Sequence, residues 1–233
     1  MQIVRRSKER GMADHGWLRS AHTFSFAGYH DPAWMQFGVL RVINEDRIAP
    51  GEGFGTHGHR DMEIISYVLE GALAHRDSMG NGSAIRPGDV QRMSAGTGLT
   101  HSEYNESSQG WTHFLQIWIL PDRQGHPPSY EERHFGSARK RGRLALLISP
   151  DGRHDSLLIH QDALVYAGLF DGTESATLEG LADRRVWVQV ARGRVRANGS
   201  MLAQGDAIGL LSTPTLHISH GEDAEILVFN LPS

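Results

Sequence analysis

One segment of this 233-residue chain carries more information than any other: Gly51-Glu-Gly-Phe-Gly-Thr-His57-Gly-His59-Arg-Asp-Met-Glu63. On an extended strand the side chains at positions i and i+2 point to the same face, so His57 and His59 can bind one metal ion together. The glycines that precede them let the backbone turn tightly into the strand. The segment therefore predicts a β-strand that presents two imidazoles to the interior of a β-barrel.

A second pair with the same spacing, His101-Ser102-Glu103, supplies an imidazole and a carboxylate. If the two strands face each other, His57, His59, His101 and Glu103 form a site of three histidines and one carboxylate. Such a site suits a divalent first-row metal, and we expect one ion, iron in the first place, with nickel, copper, manganese, cobalt and zinc as alternatives. Four protein ligands leave two positions of a six-coordinate metal for a chelating substrate, or for a substrate oxygen and O₂.

Composition and charge exclude several classes of protein. The chain has no cysteine, which removes disulfides, thiolate zinc sites and iron–sulfur clusters, so a metal must be held by nitrogen and oxygen. The formal charge is 23 − 27 = −4, which argues against direct nucleic acid binding through phosphate neutralisation. No apolar stretch approaches the roughly 18 residues of a membrane span and no secretory pattern follows the basic N-terminus, so we expect a cytoplasmic protein with no membrane association.

Hydrophobic residues recur with period 2 in short runs separated by turn residues, which is typical of barrels and sandwiches. The predicted strands are Gly38–Ile43, Glu63–Leu69, Ala72–Arg76, Val90–Ser94, Trp111–Leu120, Leu144–Ser149, Leu164–Leu169, Arg185–Ala191, Ala207–Leu211 and Glu225–Leu231. The best candidate for a short helix is Tyr130–His134.

An internal repeat indicates two β units. Gly88-Asp89 follows Gly71 by 17 residues, and Gly205-Asp206 follows Gly193 by 12. An apolar strand and then a histidine come after each Gly-Asp pair. We therefore predict an all-β fold of two barrels of similar size.

The predicted division places a metal-binding barrel in residues 1–130 and a degenerate barrel in residues 131–233, with the link inside Pro121–Arg143. The C-terminal copy has no His-x-His, so His217 is interpreted as a relic of the repeat or a structural residue. The basic run Arg139–Arg143 is interpreted as a solvated linker.

The spacing of these motifs resembles a known superfamily. Gly51-x5-His57-x-His59-x3-Glu63-x7-Gly71 is similar to the first cupin motif, and His101-x3-Asn105 to the end of the second. Two departures from the general cupin pattern fit the pirin subfamily. Ser94 stands where proline is usual, and four residues, not two, separate Gly96 from His101. Further pirin features are His15-Gly-Trp17, His22-Thr-Phe-Ser-Phe-Ala27, Asp31-Pro32, Arg41-Val42, Gly55-Thr-His57-x-His59-x-Asp-Met-Glu63, Asp77-Ser78-x-Gly80 and Ser94-Ala-Gly-x-Gly98-x-x-His101-Ser102-Glu103.

The resemblance implies two cupin-type, jelly-roll-like β-barrels with a mononuclear metal in the N-terminal one only. It implies the same ligands, His57, His59, His101 and Glu103, with Glu63 outside the ligand set. Similarity to bacterial pirin-like quercetin 2,3-dioxygenases implies cleavage of a flavonol such as quercetin by O₂ with release of carbon monoxide. Glu103 would then also accept the proton of the flavonol 3-hydroxyl. The alternative is a non-enzymatic, metal-binding regulatory protein with a protein partner.

Other polar residues have plainer interpretations. His113 and Gln116 lie on one apolar strand with their side chains on opposite faces, so at most one points into the barrel, and His113 is interpreted as a hydrogen-bonded core residue. The aromatic-rich N-terminal segment with three histidines is interpreted as packing across the barrels, in preference to a second metal site. Its histidines are His15, His22 and His30.

Overall fold

The computed structural model describes all 233 residues, and almost all of its regular structure is β-strand. The strands of the first half are β1 (Gln2–Arg5), β2 (Gly11–Asp14), β3 (Leu18–His22), β4 (Leu40–Ile48), β5 (Gly53–His59), β6 (Glu63–Glu70), β7 (Leu73–Asp77), β8 (Gly82–Ile85), β9 (Asp89–Ser94), β10 (Leu99–Tyr104), β11 (Thr112–Ile119) and β12 (Ser129–His134). Those of the second half are β13 (Ala145–Ser149), β14 (Leu157–Leu158), β15 (Leu164–Phe170), β16 (Ala176–Leu178), β17 (Arg184–Ala197), β18 (Ser200–Ala203), β19 (Ala207–Leu211) and β20 (Leu216–Pro232).

Helical structure is limited to single turns. The one α-helix, α1, spans Ser137–Lys140, and short 3-10 turns span Ser7–Glu9 and Arg153–Asp155. None of these is long or apolar enough to cross a membrane.

The strands form three sheets. The first barrel combines a seven-stranded sheet, in the order β12-β9-β6-β11-β4-β3-β2, with a four-stranded sheet, β5-β10-β7-β8. A nine-stranded sheet, β1-β19-β17-β20-β15-β13-β14 with β16 and β18 attached to β20 and β17, forms the second barrel. The predicted all-β fold of two cupin-type domains is confirmed.

The largest core lies between the two barrels. Successive side chains of a strand point to opposite faces, and one face of the seven-stranded sheet packs against the second barrel. From the first barrel this core takes Ile43, Ile65, Tyr67, Leu69, Leu115, Ile117 and Ile119, and from the second it takes Leu147, Val165, Ala167, Trp187, Leu227, Phe229 and Leu231. The alternate residues of these strands, such as Asp46 on β4, Ser66 on β6 and Gln116 on β11, therefore point into the first barrel.

The N-terminal aromatic segment packs across the barrels, as predicted. Phe24, Trp34 and Phe37 surround the buried indole of Trp187, with ring centroids 5.1, 6.2 and 5.1 Å away. This contact fixes the segment that also closes one side of the first barrel.

A cluster of buried aliphatic side chains fills the interior of the second barrel. Its strand residues alternate with those that face the first barrel, as on β17 and β20. The cluster includes Val186, Val188, Val190, Val195, Leu202, Ile208, Leu210, Ile218, Ile226 and Val228.

The first strand of the chain belongs to the second barrel, because β1 pairs antiparallel with β19. The turn before β19 receives it: the Asp206 carboxylate accepts hydrogen bonds from the Ser7 backbone N–H and the Arg6 guanidinium, both at 2.7 Å. Gly205 has φ +80° and a Cβ there would lie 2.4 Å from Ser7 Oγ, so only glycine fits this contact. The Gly-Asp pair of the repeat therefore has a docking role here.

The predicted domain boundary after residue 130 does not follow the strand pairing. It falls inside β12, which pairs with β9 of the first barrel, while β1 lies in the sheet of the second barrel. The division into residues 1–130 and 131–233 stays a prediction about which parts of the chain fold as units.

All ten predicted strands are present, nine of them with shifted bounds, and two other predictions are wrong. Tyr130–His134 is not helical but forms most of edge strand β12. The basic run Arg139–Arg143 is not wholly solvated, because Lys140 is buried and its ammonium donates to Tyr67 Oη at 2.8 Å and to Glu225 Oε1 at 3.2 Å. An anionic partner from the second barrel makes that burial possible.

Candidate metal centre

The pairing of β5 with β10 brings the two short motifs together. His57 lies directly opposite His101 in the register of these antiparallel strands. Their Nε2 atoms are 3.1 Å apart, and the His59 ring centroid lies 4.8 Å from that of His57 and 4.9 Å from that of His101. Three imidazoles therefore surround one point inside the barrel.

The spacing of the imidazole nitrogens fits a metal ion. Two nitrogens that each bind one ion at about 2.1 Å, at roughly a right angle, lie about 3 Å apart. Ligand atoms of His57, His59 and His101 all lie within 4.8 Å of one another. His57 Nδ1 lies 2.9 Å from Gly55 O and donates to it, which leaves Nε2 unprotonated and facing His101.

Burial favours the neutral form of two of these imidazoles, His59 and His101. It lowers the pKa of His59 to about 4, and the nearby His57 adds to the effect. Burial also lowers the pKa of His101 to about 3, with further contributions from His57 and His59. Neutral imidazoles are the form that binds a metal.

Glu103 follows a β-bulge on β10, where the register against β5 shifts between His101 and Glu103. Its carboxylate is fully buried and accepts hydrogen bonds from Gln116 Nε2 at 2.8 Å and Ser66 Oγ at 3.3 Å. Burial raises its pKa to about 7. Gln116 and Ser66 belong to the seven-stranded sheet, so this carboxylate links the two sheets of the barrel.

Close strand contact beside Glu103 explains one glycine of the opening motif. Gly53 pairs with Tyr104, and a Cβ on Gly53 would lie 2.3 Å from Glu103 O. Any side chain at this position would push β5 away from β10 and would separate the predicted ligands.

His75 is a residue of this site that the sequence analysis missed. It lies opposite Glu103 on β7, it is buried, and its Nδ1 is 3.5 Å from His101 Nδ1. Gln91 Nε2 donates to the same His75 nitrogen at 3.3 Å, which places the His75 proton on Nε2, 3.3 Å from Asp77 Oδ2. Ligand atoms of His75, His101 and Glu103 also lie within 4.8 Å of one another. The spacing His75-x-Asp77 is the signal that could have revealed it.

Glu63, the acidic residue of the first motif, turns away from the histidine cluster. Its buried carboxylate accepts from Ser94 Oγ at 2.8 Å and lies 3.2 Å from His160 Nδ1. His160 comes from the second half of the chain, so Glu63 connects the two barrels.

The histidine cluster opens into a cavity of about 810 Å³. This volume is in the range of about 300 to 1,000 Å³ that is usual for small-molecule sites. Its lining is mainly aromatic and aliphatic near the histidines, with a polar group of side chains from β3 and β4. The lining includes Trp17, Leu18, Ser20, His22, Phe26, Asn44, Asp46, Phe54, His57, His59, Glu103, Gln116 and Trp118.

Comparison with known proteins gives the chain a family. Residues 4–119 match the family model for pirin, and residues 146–231 match the model for the quercetinase C-terminal cupin domain. The chain is 47% identical over 232 residues to the quercetin 2,3-dioxygenase of Escherichia coli K12, with coverage of 100% of this chain and 99% of that protein. This chain belongs to the pirin family.

One further relative and one crystal structure also cover almost the whole chain. A pirin-like protein of Caulobacter vibrioides is 42% identical over 219 residues, which is 94% of each chain. The crystal structure of the bacterial pirin YhhW of Escherichia coli in complex with nickel(II) superimposes with a TM-score of 0.95 at 47% identity, and covers 100% of this chain and 99% of that one. The predicted pirin resemblance is confirmed.

The fold brings together three of the four predicted ligands, His57, His59 and His101, around one point. The fourth, Glu103, lies beside His101 with its oxygens turned to the seven-stranded sheet. Gln116 points into the barrel, whereas His113 points outward and its Nε2 lies 2.9 Å from Glu45 Oε1, as the alternation predicted.

Proposed function

We propose that this pirin is a metal-dependent dioxygenase that cleaves a flavonol such as quercetin. The observation that carries the proposal is a three-histidine cluster, with a buried carboxylate beside it, at the wall of a cavity of about 810 Å³. Full-length similarity to a protein named quercetin 2,3-dioxygenase supports the same activity. The substrates are then a flavonol and O₂, and the products are a depside and carbon monoxide.

The proposed metal ligands are His57, His59, His101 and Glu103. The donor set of nitrogen and oxygen suits a divalent first-row ion, and nickel(II) bound to a bacterial pirin supports this class of metal. Iron as the native metal stays a prediction. A divalent ion held here would lower the pKa of a substrate hydroxyl, as metals do for water.

The side chains around the site have separate roles in this proposal. The rings of Trp17, Phe54 and Trp118 provide apolar surface on which a flat substrate can lie and from which water is displaced. Glu103 accepts the proton of the flavonol 3-hydroxyl, and the amide of Gln116 holds the carboxylate in position while the proton is transferred.

The test uses purified protein loaded separately with iron, nickel, copper, manganese, cobalt and zinc, and mixed with quercetin in air. We expect at least one metal form to consume O₂, bleach the flavonol absorption band and release carbon monoxide, and anaerobic samples to remain unchanged. Glu103→Gln should lower turnover more than it lowers metal content. If no metal form consumes O₂ or bleaches the band, the proposal is wrong and the non-enzymatic regulatory alternative becomes the better hypothesis.

A further inference from the structure

Four polar side chains form a patch inside the first barrel, on the paired strands β3 and β4. Ser20 lies opposite Asp46 and His22 opposite Asn44, so all four point to the same face of the seven-stranded sheet. They are 2 to 5% exposed and they line the same cavity as the histidine cluster. We call these four residues the polar wall.

Hydrogen bonds within the polar wall leave two of its acceptor atoms without a partner in the protein. Ser20 Oγ donates to Asp46 Oδ1, and the second carboxylate oxygen of Asp46 has no partner in the protein. His22 Nδ1 donates to Asn44 Oδ1 at 2.8 Å, so His22 Nε2 is an acceptor, also without a protein partner. Both atoms keep accessible surface on the cavity, so a group bound there can reach them.

An aromatic surface connects the polar wall to the proposed metal site. Phe26 lies 5.5 Å from the His22 ring and 5.3 Å from the Trp118 ring, measured between centroids. Trp118 in turn lies 5.0 Å from His59. The rings meet tilted or edge to face, so they line the cavity between the polar wall and the histidine cluster. A flat aromatic molecule in this cavity that reaches the metal ligands with one ring can reach the polar wall with another.

The geometry points to a role for Asp46 and His22 as specificity residues that bind hydroxyl groups on the substrate ring remote from the metal. This inference rests on the proposed function and deepens it: the substrate class is a polyhydroxylated aromatic, with one hydroxyl at the metal and at least one more at the polar wall. A hydroxyl has one hydrogen and can donate to one of these two acceptors, so two neighbouring hydroxyls can satisfy both and replace the water that the groups lose on burial.

Protonation of the two residues suits this role. Burial lowers the pKa of His22, which keeps its ring neutral and Nε2 able to accept a hydrogen bond. Burial raises the pKa of Asp46 to about 7, so near neutral pH this carboxyl can donate as well as accept. A ring with two adjacent hydroxyls, each both donor and acceptor, matches such a pair.

The experiment measures anaerobic binding to nickel-loaded protein by quenching of tryptophan fluorescence. It compares quercetin with 3-hydroxyflavone, which keeps the hydroxyl and carbonyl for the metal and lacks the hydroxyls elsewhere. We expect quercetin to bind the unmodified protein about tenfold more tightly or better, the factor that roughly 1.4 kcal/mol gives. Asp46→Leu and His22→Phe should each reduce this preference several-fold by weakening quercetin binding alone.

The matched control is Thr112→Val, which removes a buried hydroxyl from β11 of the same sheet, outside the cavity lining. It should leave the preference unchanged. Asp46→Asn provides a second variant at the same position if Asp46→Leu does not fold, and should reduce the preference by a smaller factor. Metal content, measured for each variant, shows that the histidine cluster is intact.

Equal binding of the two flavonols by the unmodified protein, or no binding of either, would overturn the inference. An unchanged preference in the folded Asp46 and His22 variants would overturn it as well. Turnover in air separates this outcome from failure of the proposed function. If the protein cleaves quercetin but shows no hydroxyl preference, the polar wall has no role in recognition and the dioxygenase proposal stands. If it binds quercetin selectively but does not cleave it, the polar wall keeps its role in binding and the dioxygenase proposal is wrong.

Discussion

The two barrels share a strand pattern and differ in what they enclose. The first barrel holds imidazoles, carboxyls and amides around a cavity, and the second is packed with valine, leucine and isoleucine. Both place a layer of apolar side chains between them, which forms the largest core. The two barrels therefore have different roles. The interior of the first barrel keeps polar groups at a free-energy cost, and the burial of apolar side chains in the second barrel offsets that cost.

Loss of a histidine ligand should have the largest effect and should be confined to the first barrel. We expect His101→Ala to lower metal affinity by more than about 1,000-fold, because losing a direct ligand exceeds the roughly 10- to 100-fold cost of losing an outer partner. Metal content and competition with a chelator measure it.

The matched control is His217→Ala. His217 occupies the corresponding place in the repeat of the second barrel and is exposed. Loss of metal in this variant would show that the second barrel also contributes to the site.

The pH dependence of stability should differ between the interiors, because Asp46 is a buried carboxyl whose pKa is raised by burial from 3.8 to about 7. Between these values the folded state keeps a proton that the unfolded state has lost, so this group destabilises the protein as the pH rises from about 4 to about 7. In metal-free protein, Asp46→Asn should raise the free energy of unfolding, relative to the unmodified protein, by about 1 to 4 kcal/mol across this pH window. Urea unfolding at several pH values measures the gain.

The control for this pH series is the exposed Asp183 of the second barrel. Asp183→Asn removes one surface carboxyl and, measured at the same pH values, shows how much of the effect comes from losing a carboxyl outside the first barrel. A flat difference for Asp46→Asn would mean that its carboxyl titrates normally in the barrel.

The hydrogen bonds behind the ligands should also matter in the first barrel. His75→Gln removes the imidazole that lies between His101 and Asp77, and should weaken metal binding by about 10- to 100-fold. His113→Gln is the matched control, since His113 is another buried imidazole beside a carboxylate, on the outward face of the sheet. Isothermal titration calorimetry compares the two, and equal affinities would remove His75 from the site.

A small change in the second barrel should affect stability alone. Ile226 is fully buried in the aliphatic cluster, and Ile226→Val should cost about 0.5 to 1.5 kcal/mol in the free energy of unfolding. Metal content should not change. A fall in metal content with the protein still folded would show that the interiors are coupled.

Local patterns predict much of this molecule. The alternation of apolar residues gives the strands, and the spacing of His57 and His59 places both rings on one face, because each of these features depends on the chain within a few residues. The edge strand at Tyr130–His134 lacks this alternation because charged residues, which protect an exposed edge from pairing, interrupt it, and its sequence therefore predicts a helix.

Long-range pairing limits what sequence can show about the site. His75 lies beside His101 only because β7 pairs with β10 in this register, and the local spacing His75-x-Asp77 does not determine the register. Burial of Lys140 likewise depends on Glu225, which lies 85 residues further along the chain. The polar wall is a third case, since Ser20 and Asp46 meet only across paired strands.

The pairing of β1 with β19 has a consequence for biosynthesis. Leu211 ends β19, its carbonyl accepts from the Met1 ammonium, and it lies 210 residues after Met1, so the ribosome adds β19 about 10 to 40 s after β1 at 5 to 20 residues per second. During this interval the first barrel can form around its histidines while β1 has no partner. The earliest residues of the chain are thus among the last to reach their native position, and chaperones have that interval in which to protect an unpaired strand.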